Sequence, residues 1–313
     1  MNKQFANDVI SGLSKHQKTL SSKYFYDDAG SRIFQEIMEM PEYYLTDSEF
    51  EILSLQAKQI IEAVNFNQPF NIVELGAGDG FKTFKLLEYL VNNNIDFHYV
   101  PVDISHGAMG NLTKKLKAKL PKLSIHPRVG DYFEILSKEN VQENTPSMLL
   151  FLGSNIGNYH EKEAINLLQL FNDSMKKGDA LLLGTDLKKN PIKIQNAYFD
   201  QYGITKRFNI NLLLRINREF DGDFKIDDFD FYCHYNPLNG EVRSYIVSLG
   251  NQKVMLKKLN KSFDFHYDEL IWTELSKKYS LDEINNLAEQ SGLKVKEHFL
   301  DCKHYFADTL LVK

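Results

Sequence analysis

Apolar residues follow two rhythms along this chain. From residue 70 to about 187, short continuous apolar runs alternate with amphipathic stretches. Asn71–Leu75, Phe97–Asp103, Leu123–His126, Ser147–Leu152 and Ala180–Gly184 read as strands, the third being the weakest. Lys82–Tyr89, Asn111–Leu120 and Glu161–Met175 read as the helices between them. Continuous apolar strands are buried on both faces, and their alternation with helices predicts a parallel, doubly wound α/β sheet. Upstream lie helical pieces broken at Asp27-Asp28-Ala29-Gly30 and at Pro41. A long helix then runs from Ser48 through about Val64, with Ile52, Leu53, Leu55, Ile60 and Ile61 at near-helical spacing. After Lys188 the rhythm stops, and a segment rich in Asn, Asp and aromatics follows to about residue 277. Leu281–Ser291 is again helical, and Leu293–Leu300 and Phe306–Val312 read as closing strands. A closing hairpin puts one antiparallel strand inside the sheet.

The change of rhythm predicts a core at 48–187 plus 278–313, and a second lobe built from 1–47 together with 188–277. Open α/β sheets bind ligands at the carboxyl ends of their strands, beside the switch point. A lobe inserted after the fifth strand starts from that edge, so a cleft between lobes is the expected site.

Composition narrows the function classes. Hydrophobic residues make up 43% and charged residues 25%, which excludes disorder and fibrous structure as overall descriptions. A net charge of −5 argues against nucleic acid as the main ligand, since phosphate binding needs a basic field. No apolar run approaches the ~20 residues of a membrane span, and the start lacks the pattern of a signal peptide. Cys233 and Cys302 are too few for a disulfide framework or a zinc cluster. Both read as free thiols in a reducing cytoplasm. His234, His266, His298 and His304 do not fall at a metal-binding spacing and read as surface or packing residues. The expectation is a cytoplasmic monomer acting on a small molecule, with no metal, membrane or nucleic acid involved.

Glu74-Leu75-Gly76-Ala77-Gly78-Asp79-Gly80 lies between a strand and a helix. Glycines there let the backbone turn and approach a ligand closely, although a plain strand–helix turn would also use them. The second strand ends on Asp103, whose carboxylate could accept both hydroxyls of a ribose. The spacing is Gly-x-Gly-x-Gly rather than the dinucleotide fingerprint Gly-x-Gly-x-x-Gly, which disfavours a dehydrogenase. Glu74 and Asp79 would repel a pyrophosphate. Acids beside the turn suit a cationic ligand with an amino group, such as S-adenosylmethionine (SAM), and with the closing hairpin they predict a class I methyltransferase. Gly130-Asp131-Tyr132 follows the third strand; Asp131 could accept from an adenine amino group under the Tyr132 ring, or simply cap a helix. The run Gly153-Ser154-Asn155-Ile156-Gly157-Asn158 after the fourth strand could contact a ligand or cap the helix at Glu161.

Several motifs carry a family resemblance along nearly the whole chain. They are Lys23-Tyr24-Phe25-Tyr26-Asp27, Gly30-Ser31-Arg32-Ile33-Phe34, Pro41-Glu42-Tyr43-Tyr44, Phe151-Leu152-Gly153-Ser154-Asn155-Ile156-Gly157-Asn158 and Leu183-Gly184-Thr185-Asp186-Leu187. Phe208-Asn209-Ile210-Asn211, Ile216-Asn217-Arg218-Glu219 and Thr273-Glu274-Leu275-Ser276-Lys277 complete the set. With the glycine loop, they resemble the histidine-specific SAM-dependent methyltransferases that make Nα-trimethylhistidine (hercynine) in ergothioneine synthesis. The resemblance implies that Tyr26, Gly76, Lys82, Asp103, Asp131 and Tyr132 contact SAM. It implies that Tyr43, Asn158, Tyr198, Glu274 and Ser276 hold the amino acid. Asn158 and Tyr198 would take its carboxylate and amine, and Glu274 and Ser276 its imidazole.

Each of these residues also has a plainer reading: Tyr43 and Tyr198 as packing, Glu274 as a solvated acid, Lys82 as a surface charge in the first turn of a helix. One segment departs from the family. Where its histidine enzymes carry Glu-Met near the imidazole, this chain carries Ser244-Tyr245.

The resemblance implies transfer of three methyl groups from SAM to the histidine α-amine. The alternative is a relative acting on another amino acid or small amine, and a non-catalytic SAM-binding protein is a further rival. No side chain stands out as a dedicated base; Tyr26, Tyr43 and Asn158 are candidates for orienting the amine.

Overall fold

A computed structural model describes residues 3–104, 106–130, 135 and 145–313. In chain order its strands are β1 (Lys18–Thr19), β2 (Phe70–Leu75), β3 (Phe97–Asp103), β4 (Arg128–Val129), β5 (Ser147–Phe151), β6 (Ala180–Asp186), β7 (Phe229–Asn236), β8 (Glu241–Ser248), β9 (Gln252–Leu256), β10 (Lys261–Phe265), β11 (Leu270–Lys277), β12 (Lys294–Leu300) and β13 (Phe306–Val312). The chain divides into two compact units. One holds Met1–Tyr44 and Lys189–Lys277, the other Leu45–Lys188 and Lys278–Lys313.

The second of these contains a seven-stranded sheet in the order β12-β13-β6-β5-β2-β3-β4. From β6 to β4 every neighbouring pair is parallel, while β13 runs antiparallel to both β6 and β12. Every residue of β2, β5 and β6 is buried, which is why these strands read as unbroken apolar runs. Alternate residues feed two cores. Ile72, Leu150, Leu182 and Leu310 pack with the helices Ala57–Val64, Thr83–Asn92 and His106–Lys119. Val73, Leu149, Leu181 and Leu311 pack with Glu161–Ser174 and Leu281–Gln290. Helices thus cover both faces, as the α/β reading requires. Chain connections leave β2 toward β3 on one side and reach β5 on the other, so the switch point lies between β2 and β5.

Two sequence expectations change here. The long helix from Ser48 is two helices, Tyr44–Leu55 and Ala57–Val64. They part at Gln56, whose side-chain amide donates to the Leu300 carbonyl at 2.7 Å. The strand expected at Leu123–His126 is reduced to one bridge between Tyr99 and Ile125. The edge strand is instead the two-residue β4, whose side chains are exposed.

The other unit has a different grammar. Its sheet runs β1-β11-β8-β7, with β9 and β10 as a separate hairpin. β7, β8 and β11 are antiparallel neighbours, and β1 joins β11 in parallel. The helices Lys3–Leu13, Asp28–Met38, Pro191–Tyr198 and Ile204–Phe220 belong to this unit, and one apolar core joins Phe5, Phe25, Phe208, Leu212, Ile246 and Ile271. Asp27 is a start signal and not only a break: its carboxylate caps Asp28–Met38 by accepting from the Gly30 N–H at 2.7 Å. Among the described residues, no helix is long and apolar enough to cross a membrane.

Candidate functional site

At the carboxyl end of β2 the chain turns through Gly76, Gly78 and Gly80, with φ of +73°, +55° and +64°. Side chains with a Cβ resist that left-handed region. A Cβ added at Gly76 or Gly78 would meet no atom within 4 Å, so it is backbone sign, not crowding, that calls for glycine, and the loop borders open space. The turn is pinned to β3: the Gly76 and Ala77 N–H groups donate to the Val102 carbonyl at 2.8 and 3.2 Å. The Gly78 N–H donates to the Asp103 carboxylate at 3.1 Å. The strand tip therefore presents a carboxylate beside a loop open to a ligand, a pairing that fits a nucleoside ribose and a cationic amino-acid tail.

Lys82 follows this loop. It is neither bare nor fully solvated: it pairs with Glu49, a carboxylate with 0% exposure. The other oxygen of Glu49 accepts from the Gly153 N–H at 2.7 Å, tying the glycine loop's helix to the turn after β5. A Cβ at Gly184 would sit 2.2 Å from that carboxylate, so β6 must carry glycine there. Two further acids are buried nearby. Burial, reinforced by the charge on Glu49, pushes the Asp308 carboxyl well above its usual range, against the pull of Lys82. Burial likewise pushes Glu74 up to about 7, although the Thr83 and Tyr99 hydroxyls that donate to it act the other way. Sequence reading missed Glu49; its only signal was an acid amid Phe50, Ile52 and Leu53.

Asn158 ends the short turn Asn155–Asn158 after β5 and is exposed. The turn is held by its own residues: Ser154 Oγ accepts from the Asp186 N–H at 2.9 Å, and the Asn155 amide donates to the Leu152 carbonyl at 2.8 Å. Capping of the next helix falls to His160 and Glu163, whose carboxylate accepts from the His160 N–H at 2.9 Å. Asn158 is thus spared the capping role. Asp131 and Tyr132 lie outside the described residues.

The remaining candidates gather in the other unit. The Tyr198 and Ser276 hydroxyls are 3.0 Å apart and buried. The Tyr43 ring meets Tyr198 edge-on at 6.1 Å and Phe34 at 6.3 Å. Tyr26 lies edge-on to Phe34 at 5.4 Å and to Phe208 at 5.6 Å. Crowding around the Tyr26 hydroxyl, then the negative charge of Glu274, raises its phenol above the ordinary range, although 44% of the residue is exposed. Tyr26 and Glu274 therefore share one neighbourhood, and the phenol stays neutral near neutral pH.

Glu274 lies opposite Ser244, and Trp272 opposite Tyr245. Of the departing pair only Ser244 shares a cross-strand position with Glu274. Tyr245 stacks with Tyr232 and His234 at 6.3 and 6.0 Å.

Tyr26 is held through its neighbour Asp27. That carboxylate accepts from the Asn211 amide at 2.9 Å and pairs with Arg218. Burial raises Asp27, but the Gly30 N–H, Asn211 and Arg218 together keep it below the usual range. Asn211 and Arg218 belong to motifs visible in the sequence, but their role as brackets was not.

Residues 5–313 match the family model described as histidine-specific methyltransferase, SAM-dependent. A histidine N-alpha-methyltransferase of Mycobacterium tuberculosis is 33% identical over 91% of this chain and 88% of its own length. The protein of that name from Mycolicibacterium smegmatis is 32% identical over 98% of this chain and 94% of its own. An L-tryptophan methyltransferase of Psilocybe serbica is 25% identical over 94% of this chain and 89% of its own.

Proposed function

Since the chain belongs to the histidine-specific, SAM-dependent methyltransferase family, we propose that it transfers three methyl groups from SAM to the α-amine of L-histidine, giving hercynine. The observation that carries this reading is the grouping of Glu274 and Ser276 with Tyr198 and Tyr26 in one unit. Neutral imidazole offers one donor and one acceptor, and its cation offers two donors. A carboxylate and a hydroxyl together serve either form. Tyr43 and Asn158 complete the substrate set, with Asn158 and Tyr198 taking the carboxylate and amine of histidine.

The donor's residues are Gly76, Lys82, Asp103, Asp131 and Tyr132, with Tyr26. SAM supplies an activated methyl group on a sulfonium. In each round the methyl–sulfur bond breaks as the nitrogen–carbon bond forms, and the amine proton leaves to solvent. The chain's work is alignment and exclusion of water. Asp103 accepts the ribose hydroxyls; Tyr26, a neutral phenol, orients the amine and does not remove its proton. Tyrosine faces attract the growing cation, which favours a pocket that accepts the amine with zero, one or two methyls.

A second reading, another amino acid or small amine as acceptor, draws on Ser244 opposite Glu274. Incubation with SAM and the twenty amino acids, read by mass spectrometry, separates the two. Histidine should gain one, two and three methyl groups in succession. Methylation of a different amino acid, with histidine untouched, would replace the first reading by the second.

A further inference from the structure

Resting on that assignment of Glu274 and Ser276, we propose that Asn209 and Thr273 are positioning residues: their hydrogen bond holds a β-bulge that turns Glu274 and Ser276 toward Tyr198 and the substrate. The register carries the argument. Trp272 lies opposite Tyr245 and Glu274 opposite Ser244, leaving Thr273 as the extra residue of a bulge. Tyr245 and Ser244 are adjacent, so their side chains point to opposite faces. Trp272 and Glu274 therefore also face opposite ways, although residues two apart in a regular strand share a face. Contacts agree with this. Arg243, on the Tyr245 face, lies over the Trp272 ring at 5.8 Å. Thr273 and Ser276 instead reach Asn209 and Tyr198. Removing the bulge would slip the strand by one residue and send Glu274 and Ser276 to the Trp272 face.

Three hydrogen bonds hold the bulge. Thr273 Oγ1 donates to Asn209 Oδ1 at 2.7 Å and lies 3.1 Å from the Ser244 carbonyl. Asn209 sits in the helix Ile204–Phe220 with 0% exposure, and its Nδ2 donates to the Thr205 carbonyl at 3.1 Å. That second bond sets the amide so that its oxygen meets Thr273. Across the bulge, the Trp272 indole N–H donates to the Glu274 carbonyl at 2.9 Å. A buried amide oxygen without a donor is costly, so the bulged register is the one that satisfies Asn209. Neither Asn209 nor Thr273 is among the residues assigned to histidine, yet both fall in the sequence motifs that mark the family.

Thr273→Val keeps the shape and removes the donor, Thr273→Ser keeps the donor, and Asn209→Leu removes the acceptor. Trp272 is the chain's single tryptophan, so its fluorescence reports on the bulge without substrate. Thr273→Val should raise the histidine KM about tenfold, with kcat changed less, SAM affinity kept and Trp272 emission shifted. Thr273→Ser should restore both readouts, and Asn209→Leu should reproduce the valine variant. The proposal is overturned if Thr273→Val keeps wild-type KM and emission, if Thr273→Ser is as impaired as valine, or if SAM affinity falls in step with KM. The histidine reading fails separately, by the wild type methylating another amine. The same variants are then scored on that amine and on emission, where no change overturns the bulge.

Discussion

The two units handle buried polarity in different ways. In the unit of Leu45–Lys188 and Lys278–Lys313, charge goes inside and is paired there. Lys278 and Asp186 form an ion pair at 2.9 Å with neither side chain exposed, and Lys82 meets the buried Glu49. In the unit of Met1–Tyr44 and Lys189–Lys277, two buried brackets are neutral: Asn209 with Thr273, and Tyr198 with Ser276. A buried ion pair has to offset the desolvation of both charges, whereas neutral hydroxyls and amides aim directional hydrogen bonds at a smaller desolvation cost.

The largest expected effect tests the charged interior. Lys278→Met leaves Asp186 buried without its cation, and should cost about 3–5 kcal/mol in urea unfolding. A loss below about 1 kcal/mol would put this pair on a par with a surface one and remove the contrast.

The pH dependence comes next. Glu74 is raised from 4.5 to about 7, so the native state holds its proton more tightly than the unfolded chain does. Its favourable contribution is complete below about pH 4.5 and is lost as pH rises through about 7, a change of roughly 3 kcal/mol. Glu74→Gln stays neutral throughout, so its stability relative to wild type should rise between those values. Parallel pH profiles for the two proteins would show that Glu74 is not the titrating group.

Asp103→Ala should weaken SAM binding by about 1.5–3 kcal/mol, tenfold or more in Kd. Unchanged affinity by calorimetry, in a folded variant, would remove Asp103 from the donor site. Glu274→Ala should act on the other ligand, raising the histidine KM by an equivalent of about 1–3 kcal/mol. It should leave SAM affinity alone and narrow the preference for histidine over phenylalanine and tryptophan. Loss of SAM binding in that variant would take Glu274 out of the histidine set.

The smallest effect is at Arg218, whose side chain is 56% exposed where it pairs with Asp27. Arg218→Met should cost no more than about 1 kcal/mol in thermal unfolding, since Asn211 and the Gly30 N–H still satisfy Asp27. A loss as large as that of Lys278→Met would show that this unit too depends on charge.

How legible each region was follows from the range of the interactions that make it. β3 reads correctly from Phe97 to Asp103, and β13 from Phe306 to Val312, because an apolar run and a bounding turn are local. β8 was hidden: its buried positions are Val242, Ser244, Ile246 and Ser248, and two serines in four break the hydropathy signal. The helix expected through Val64 divides at Gln56, whose backbone leaves the helical region and whose side chain bonds Leu300, far away in sequence.

By itself, the order of residues determined the doubly wound core, the positive-φ glycine turn, the acid at the tip of β3 and the family motifs. These depend on neighbours along the chain, where periodicity and backbone sign are set. Only the tertiary structure decided that Lys82 answers to Glu49, that Asn211 grips Asp27, and that a bulge at Thr273 puts Glu274 opposite Ser244. Each of those is a contact between distant segments, and a one-residue change of strand phase leaves no mark on composition or hydropathy.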